Sequence, residues 1–241
     1  MNFIIQAEKI YKTFDKNLVL NNIDLKLEKG SITFLFGPSG SGKSTLLNCI
    51  SGILGIDSGS IEYKSNQSNR DLSLSSTDFS KIYPAITSVS QNYSLWPHLT
   101  NHQNITLSKK IDDKIDFLSF AKDLKIDNIL DKYPYECSGG EQQRVAFLRH
   151  IALNPKLLIL DEVTSALDVE QIEILSNILL KLKKKGMTIL IVTHLLSFVR
   201  NIGDYFYFMD KGKIIEQGTQ SDFRNPKTER LQKFLSLYRI E

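Results

Sequence analysis

A glycine-rich stretch near the start of the chain carries the residue types that bind phosphate. It runs Gly37-Pro38-Ser39-Gly40-Ser41-Gly42-Lys43-Ser44-Thr45, a G-x-x-x-x-G-K-S pattern. Glycines let backbone N–H groups turn toward an anion. Lys43 would add a full charge for the β- and γ-phosphates of a nucleotide, and the Ser44 hydroxyl can bind Mg²⁺. The spacing predicts a nucleotide-phosphate site, although the bare pattern also occurs in ordinary glycine-rich turns.

The segments on either side of this stretch should hold it in place. Ile32-Thr33-Phe34-Leu35-Phe36 is an apolar run typical of a buried strand, and Leu46, Leu47 and Ile50 follow at helical spacing. A helix that begins at the loop would point its partly positive end at the bound phosphate. This context favours a phosphate-binding loop over a simple turn.

Two adjacent acids follow a second apolar run far downstream. Leu157-Leu158-Ile159-Leu160 is typical of a fully buried parallel strand, and it ends at Asp161-Glu162. Ligands of such sheets bind at the carboxyl ends of the strands, so Asp161 is expected beside the phosphate loop, where it would hold Mg²⁺ through water. Glu162 lies one residue further out and could polarise a water against a γ-phosphate. Taken alone, the two acids could equally form a solvated turn.

A third motif lies between these two and resembles a known family. Cys137-Ser138-Gly139-Gly140-Glu141-Gln142-Gln143-Arg144 resembles the signature loop of ABC-transporter ATPases. The family's other motifs are similar to segments of this chain in the same order: an adenine-stacking aromatic at Tyr11, a Q-loop glutamine at Gln91 after the apolar segment from Ile86 to Val89, a D-loop at Ser165-Ala166-Leu167-Asp168, and a switch histidine at His194 after the segment from Thr188 to Val192. The resemblance extends over roughly residues 3 to 220.

The resemblance implies an ATPase that uses ATP and Mg²⁺, with a role for each motif. Tyr11 and the loop from Gly37 to Thr45 would bind ATP, and Ser44, Gln91 and Asp161 would hold the metal. Glu162 would be the general base, while His194 and Gln91 would position the γ-phosphate, the water or the metal. The trans signature residues would be Ser138, Gly139, Gly140 and Glu141. In the family that loop contacts the ATP of the opposite subunit, which implies a dimer, most simply of two copies of this chain.

Four positions depart from the family pattern. Cys137 replaces a usual Leu, Glu141 replaces the commonest Gln, and Leu195 stands where many members have an acid. Val163 stands where the family usually has Pro, so the φ angle of the residue after Glu162 is no longer fixed by a proline ring. None of these changes removes a group that the chemistry requires, so we expect an active ATPase.

Composition sets further limits. The chain has 241 residues, a net charge of +3 and two cysteines, Cys49 and Cys137. So small a charge gives no reason to invoke nucleic acid, and two cysteines suggest neither a disulfide framework nor a metal site. No run approaches the roughly 20 apolar residues of a membrane span, and the N-terminus lacks the basic region of a signal peptide. We therefore expect a cytosolic chain that meets a membrane only through partners.

The predicted fold class is α/β, a P-loop NTPase of ABC type. Its RecA-like core would carry an N-terminal antiparallel β subdomain and a helical signature subdomain. We expect a single domain over residues 1–241, with the core and antiparallel lobe at 1–99 and 155–241 and the helical lobe at about 100–154. Strands are predicted at 3–11, 18–27 and 60–64 for the antiparallel sheet and at 205–209 and 213–216 in the core, and the serine-rich stretch at 64–80 is predicted to be a variable loop.

Two weaker cues concern the subfamily. The segment Tyr133-Pro134-Tyr135-Glu136 and the tail Asn225-Pro226-Lys227-Thr228-Glu229-Arg230-Leu231-Gln232-Lys233-Phe234-Leu235 resemble bacterial polar amino-acid uptake ATPases of the glutamine, histidine and arginine type. This implies a peripheral subunit at the cytoplasmic face of the inner membrane, with two permease subunits and a periplasmic solute-binding protein as partners. An ABC exporter ATPase for lipoprotein, lipid or peptide remains an alternative. A non-transport ABC ATPase acting on DNA or ribosomes is disfavoured, because the chain has one ATPase unit and lacks heptad coiled coils between Lys43 and Cys137.

Overall fold

The computed structural model describes residues 3–64, 72–73, 82–89, 94–107, 116–164 and 167–238. Its strands are β1 (Phe3–Phe14), β2 (Asn17–Glu28), β3 (Ile32–Phe36), β4 (Ser58–Tyr63), β5 (Leu72–Ser73), β6 (Ile86–Val89), β7 (Leu157–Asp161), β8 (Thr188–Val192), β9 (Tyr205–Asp210) and β10 (Lys213–Thr219). Its helices are α1 (Lys43–Ile50), α2 (Asn101–Thr106), α3 (Phe117–Asp123), α4 (Gly139–Ile151), α5 (Val169–Lys184), α6 (Leu196–Ile202), α7 (Gln220–Arg224) and α8 (Glu229–Ser236). The predicted residues Gln91, Ser165 and Ala166 lie outside the described residues, as does most of the 64–80 segment.

The larger sheet of the described residues has the order β10-β9-β3-β8-β7-β6. All neighbours are parallel except β10, which pairs antiparallel with β9. The predicted strand β3 is confirmed with the expected bounds, and β7 extends one residue further to include Asp161. The segments that precede Gln91 and His194 form β6 and β8. β3 and β8 are buried along their whole length, as strands covered on both faces should be.

Alternate residues of β3 point into two separate apolar cores. Phe34 and Phe36 pack with residues of α4 and α5 on one face of the sheet. Leu35 packs on the other face with Leu46 and Ile50 of α1 and with the antiparallel sheet. Helix α1 therefore lies between the two sheets, and the loop that precedes it is held at the edge of the larger one.

The antiparallel sheet has the order β2-β1-β4-β5. Its three predicted strands are confirmed, and β1 and β2 are longer than the apolar pattern indicated. The prediction of a loop over the serine-rich segment was wrong at Leu72–Ser73, because these residues pair with β4 and form the edge strand β5. The Tyr207 hydroxyl joins the two sheets, since it accepts from the Lys26 N–H at 3.0 Å and donates to the Lys26 carbonyl at 2.9 Å.

The helices between β6 and β7 and the helix after β7 begin at side-chain caps. Ser138 caps α4 in a reciprocal pair with Glu141, and Asp168 caps α5 by accepting from the Gln171 N–H at 2.8 Å. Phe120 and Ala121 of α3 and Leu148 of α4 are buried. Within the described part of the chain, no helix is both long and apolar enough to cross a bilayer.

The C-terminal segment docks on the core through a buried carboxylate. Glu216 on β10 accepts hydrogen bonds from the Lys227 and Thr228 N–H groups, each at 2.8 Å, and from the Thr228 hydroxyl. Burial raises the pKa of Glu216, but the bonds from Lys227 and Thr228 together outweigh it and hold the pKa below its usual value. Phe234 of α8 then stacks near Phe208, with ring centroids 5.1 Å apart. Glu216 thus fixes the start of α8 against the sheet.

We expect Glu216→Ala to lower the free energy of unfolding by about 1–3 kcal/mol at pH 7, because two part-buried N–H groups lose their acceptor. The lowered pKa means that this stabilisation is present above the pKa of the unfolded glutamate and is lost as the pH falls through the folded value. The difference between the two proteins should therefore shrink in acid. Urea unfolding at several pH values measures this difference in the free energy of unfolding.

Glu173→Ala, an exposed control on α5, should change stability little at any pH. Equal effects of the two substitutions would contradict the anchoring role.

Candidate functional site

The phosphate-binding loop lies between β3 and α1 and rests on the turn between β9 and β10. The Gly212 N–H donates to the Ser41 carbonyl at 3.1 Å. A Cβ atom on Gly37 would lie 1.9 Å from the Met209 carbonyl oxygen, and Gly37 has a φ of +155°. Only glycine allows the chain to pass this close to β9. The loop therefore begins at the end of β3 in a conformation fixed by its neighbours.

Lys43 is a nearly buried cation at the base of this loop, with 6% of its surface exposed. Its Nζ donates to the carbonyls of Gly37 at 3.0 Å and Pro38 at 2.9 Å. Burial lowers the pKa of Lys43, while the charges of Glu162 and Asp161 raise it. The acids predicted from the distant strand therefore lie close enough to act on the lysine, as expected of a site that balances several charges.

Asp161 ends β7 beside the loop, and its side chain is hydrogen-bonded to Ser44. Burial and the neighbouring Glu162 raise the pKa of Asp161, whereas Ser44 and Lys43 lower it. Its Oδ1 atom is buried without a hydrogen-bond partner. A buried carboxylate oxygen next to a hydroxyl is the kind of hard oxygen pair that Mg²⁺ accepts, with phosphate oxygens completing its shell.

Glu162 and His194 meet at the ends of two neighbouring strands. The His194 Nε2 atom lies 2.9 Å from Glu162 Oε1. The Glu162 N–H donates to the Val192 carbonyl at 2.9 Å, and Glu162 has a φ of +53°. Such a left-handed backbone is uncommon for a residue other than glycine and often marks a functional turn. The acid and the histidine form a pair at the carboxyl edge of the sheet.

Sequence reasoning missed the side chains that support this pair. The Thr164 and Thr193 hydroxyls lie 2.7 Å apart, and the buried amide of Gln143 donates to the Val163 carbonyl at 2.5 Å. The spacing of these residues along the chain does not predict the contacts, because each contact joins segments that are distant in sequence. Gln143 does lie within the segment from Cys137 to Arg144 that resembles the signature, which is the one cue that could have drawn attention to it.

The signature loop is not brought to this edge. The carboxylate of Glu141 is paired with Ser138, whose N–H lowers the pKa of Glu141. A Cβ on Gly140 would be nearest to Arg144 and Gln171, whereas the acids that act on Lys43 are Glu162 and Asp161. The four signature residues thus form a capped helix start at a different place from their own chain's phosphate loop.

The remaining predicted positions lie as follows. Tyr11 is half-buried on β1, at a position that pairs with Ser58 of β4. Leu167 donates its N–H to the Thr164 carbonyl, and Asp168 caps α5. Tyr11 as an adenine-stacking residue and the D-loop assignment stay predictions.

The replacements relative to the family are accommodated by packing. Val163 is buried, with 4% of its surface exposed. The Cys137 Sγ atom accepts from Asn101 Nδ2 at 3.2 Å, and Leu195 packs against the larger core. The structure therefore shows how each of these three side chains fits, and none of them displaces Lys43 or Asp161.

A strand, a glycine-rich loop, a helix and an acid at the end of another parallel strand of the same sheet define a P-loop nucleoside triphosphatase. Comparison with known families extends this: the model of the ABC transporter family matches residues 20–165. The glutamine transport ATP-binding protein GlnQ of Geobacillus stearothermophilus is 37% identical over 244 residues, covering 98% of each chain. The glutamate transport ATP-binding protein GluA of Corynebacterium efficiens is 37% identical over 240 residues, covering 96% of this chain and 98% of GluA. The chain belongs to the ABC transporter ATP-binding family and is an ATPase of that family.

Solved structures confirm the predicted fold class. The ADP conformation of MJ1267, an ATP-binding cassette of an ABC transporter, superimposes with a TM-score of 0.77 at 25% identity and covers 100% of both chains. The dimeric structure of MJ0796, a bacterial ABC transporter cassette, matches with a TM-score of 0.76 at 28% identity, covering 90% of this chain and 98% of MJ0796. The α/β fold of an ABC ATPase, predicted from motif order, is therefore confirmed.

We expect Gly37→Ala to weaken nucleotide affinity by about tenfold or more, since a displacement near 1 Å in a binding site can cost 10²-fold. The added methyl group cannot coexist with the Met209 carbonyl, so the loop must move. Titration with a fluorescent ATP analogue in Mg²⁺ measures the affinity. The control is Gly40→Ala, where a Cβ meets nothing within 4 Å and the only cost is the φ of +75°. If Gly40→Ala impairs binding as much as Gly37→Ala, close approach to β9 does not shape the site.

Proposed function

We propose that this chain is the Mg²⁺-dependent ATP-hydrolysing subunit of an importer for a polar amino acid. The observation that carries the ATPase part is the convergence of Lys43, Asp161, Glu162 and His194 at one edge of the parallel sheet. The cargo part rests on relatives that are 37% identical over nearly the whole chain and are named for glutamine and glutamate transport.

ATP would bind with its phosphates on the loop from Gly37 to Thr45 and its adenine against Tyr11. Lys43 would exchange the carbonyls of Gly37 and Pro38 for phosphate oxygens, which would relieve the cost of a buried cation. Ser44 and Asp161, together with Gln91, would hold Mg²⁺, and the orphan Oδ1 of Asp161 suits that role. When bound, the ion supplies charge neutralisation for the phosphates.

Glu162 would take the proton from the attacking water. Its Oε1 is already within hydrogen-bond reach of His194, which would keep the carboxylate, the water and the γ-phosphate in register. Positioned acid–base help of this kind contributes about 10²–10⁴ in rate. Gln91 would contact the water or the metal.

The site would be completed by a second copy of the chain. Ser138, Gly139, Gly140 and Glu141 lie away from their own Lys43, and the capped helix start they form suits an anion. In a head-to-tail dimer they would meet the partner's ATP, with Ser165, Ala166, Leu167 and Asp168 at the junction. The dimeric structure of the MJ0796 cassette supports this arrangement.

Membrane partners would bind beside the helical lobe, which we place at residues 100–154 of a single domain. A cleft of about 520 Å³ lies there, lined by Trp96, Arg149 and His150 among others. The Arg149 guanidinium lies 5.1 Å from the Trp96 ring centroid and donates to the Ser94 carbonyl at 2.9 Å. These contacts hold together two side chains that line the cleft. We propose that a helix of each of two permease subunits docks here, at the cytoplasmic face of the cell membrane, with a periplasmic solute-binding protein delivering the amino acid.

We expect Glu162→Gln to keep ATP binding and to lower turnover by about 10²–10⁴, because the amide keeps the shape of the side chain and cannot accept the proton. An ATP-bound dimer should then accumulate, and light scattering with ATP and Mg²⁺ measures it. Wild-type turnover in this variant would exclude Glu162 as the base.

Adding Ser138→Arg to the same background tests the split site. A bulky cation should block the approach of the signature loop to the opposite nucleotide and leave fluorescent-ATP binding by the monomer intact. A dimer that forms equally well with and without Ser138→Arg would contradict the head-to-tail arrangement.

Depletion of this protein from its host should lower uptake of a radiolabelled polar amino acid. The panel is glutamine, histidine, arginine, glutamate and cystine. Wild-type protein supplied from a plasmid should restore uptake, whereas Glu162→Gln, the matched inactive control, should not. If export of a lipid or lipoprotein falls and no amino-acid uptake does, the exporter alternative is correct and the ATPase assignment survives.

A further inference from the structure

The turn that carries Glu162 needs support on both sides. A left-handed backbone conformation is unfavourable for any residue that has a side chain. The surrounding structure must therefore hold Glu162 in it. On the N-terminal side, the Glu162 N–H is bonded to the Val192 carbonyl of the neighbouring strand β8. On the C-terminal side stands Val163, where the resembled family usually has a proline that fixes φ by its ring.

Gln143 supplies the missing support at Val163. Its Nε2 donates to the Val163 carbonyl at 2.5 Å, and the side chain is buried, with 7% exposed. The next residue is tied in turn, because the Thr164 hydroxyl meets the Thr193 hydroxyl at 2.7 Å, and Thr193 directly precedes His194. One hydrogen bond therefore restrains the peptide that follows the base and, through the threonine pair, the segment that carries the histidine.

The same side chain carries a cost that packing alone does not explain. Its Oε1 atom is buried without a hydrogen-bond partner. A buried amide oxygen left unpaired is unfavourable, and an apolar side chain of similar length would avoid it. A residue that breaks a local rule of this kind is most often found at a functional site.

Gln143 also lies on the helix that begins at the signature. Helix α4 starts at Gly139 behind the Ser138 cap, and Gln143 is in its second turn. A helix is stiff over so short a span, so movement of the signature loop must move the Gln143 amide. The bond thus joins the loop that would meet the partner's ATP to the turn that carries this chain's base.

We propose that Gln143 is a positioning residue that holds Glu162 through the Val163 carbonyl and couples its placement to the signature loop. This rests on the proposed role of Glu162 as the base. Without the bond, the carboxylate remains present and nucleotide remains bound, but the turn is free to leave the geometry required for proton transfer.

The test is Gln143→Met, which keeps length and apolar bulk and removes the donor. We expect kcat of the purified full chain to fall about 10- to 100-fold, as misplacement of a catalytic group does. Affinity for fluorescent ATP and the Tm should stay close to wild type. Gln143→Asn, whose shorter amide cannot span to Val163, should behave in the same way and serves if the Met variant does not fold.

Gln220→Met is the matched control, because Gln220 also donates its amide to a backbone carbonyl, that of Arg200 at 2.6 Å, away from the site. Its kcat should be unchanged. A kcat within twofold of wild type in Gln143→Met would overturn the inference. An equal fall of kcat in Gln143→Met and in the control Gln220→Met would overturn it as well.

A double variant separates positioning from general structural support. Residues that act as one unit are not additive, so Gln143→Met should have no further effect on the residual hydrolysis of Glu162→Gln. A further tenfold fall in that background would show that Gln143 does not act through Glu162. The two proposals fail in different ways: wild-type turnover of Glu162→Gln removes the base, whereas an inactive Glu162→Gln with a fully active Gln143→Met removes only the role of Gln143.

Discussion

Parallel pairing of β3, β8 and β7 is the constraint on which the rest of the site depends. Leu35 of β3 lies beside Val192 of β8, and Val192 lies beside Asp161 of β7. Because parallel strands end at the same edge, this register brings the glycine-rich loop, His194 and the two acids Asp161 and Glu162 to one place. A slip of one residue would turn every side chain of a strand to the opposite face. The two apolar cores, which β3 enters with alternate residues, fix that register.

Several features of the site are energetically unfavourable, and the stability of the rest of the fold compensates for them. Lys43 is a nearly buried cation, Asp161 has an orphan oxygen, and Glu162 has a left-handed backbone. Each is costly alone, and each would be relieved or used when a nucleotide and its metal arrive. The large buried cores on either side of the sheet supply the stability that such a site requires.

The hydrogen bonds around Glu162, the proposed base, suggest how the site of one chain could respond to a second chain. The signature helix, the Val163 peptide and the threonine pair form a continuous set of contacts from Ser138 to His194. Their geometry depends on one helix and two strand ends, all of which are rigid elements. A change at the signature loop would therefore reach the base without rearrangement of the core.

Local spacing and apolar runs were enough to predict the motifs, the strand β3 and the chemical type of each group, and they marked the segments that form β6 and β8. The caps Ser138 and Asp168 are local as well, because each side chain bonds a backbone N–H group three residues further along. Two contacts could be seen only in the three-dimensional structure: the edge pairing of Leu72–Ser73 and the hydrogen bond from Gln143 to Val163. The first joins Leu72 to the nearby Tyr63, and the second joins residues 20 positions apart, but neither carries a periodic signal. Their partners are chosen by how the sheets and helices pack.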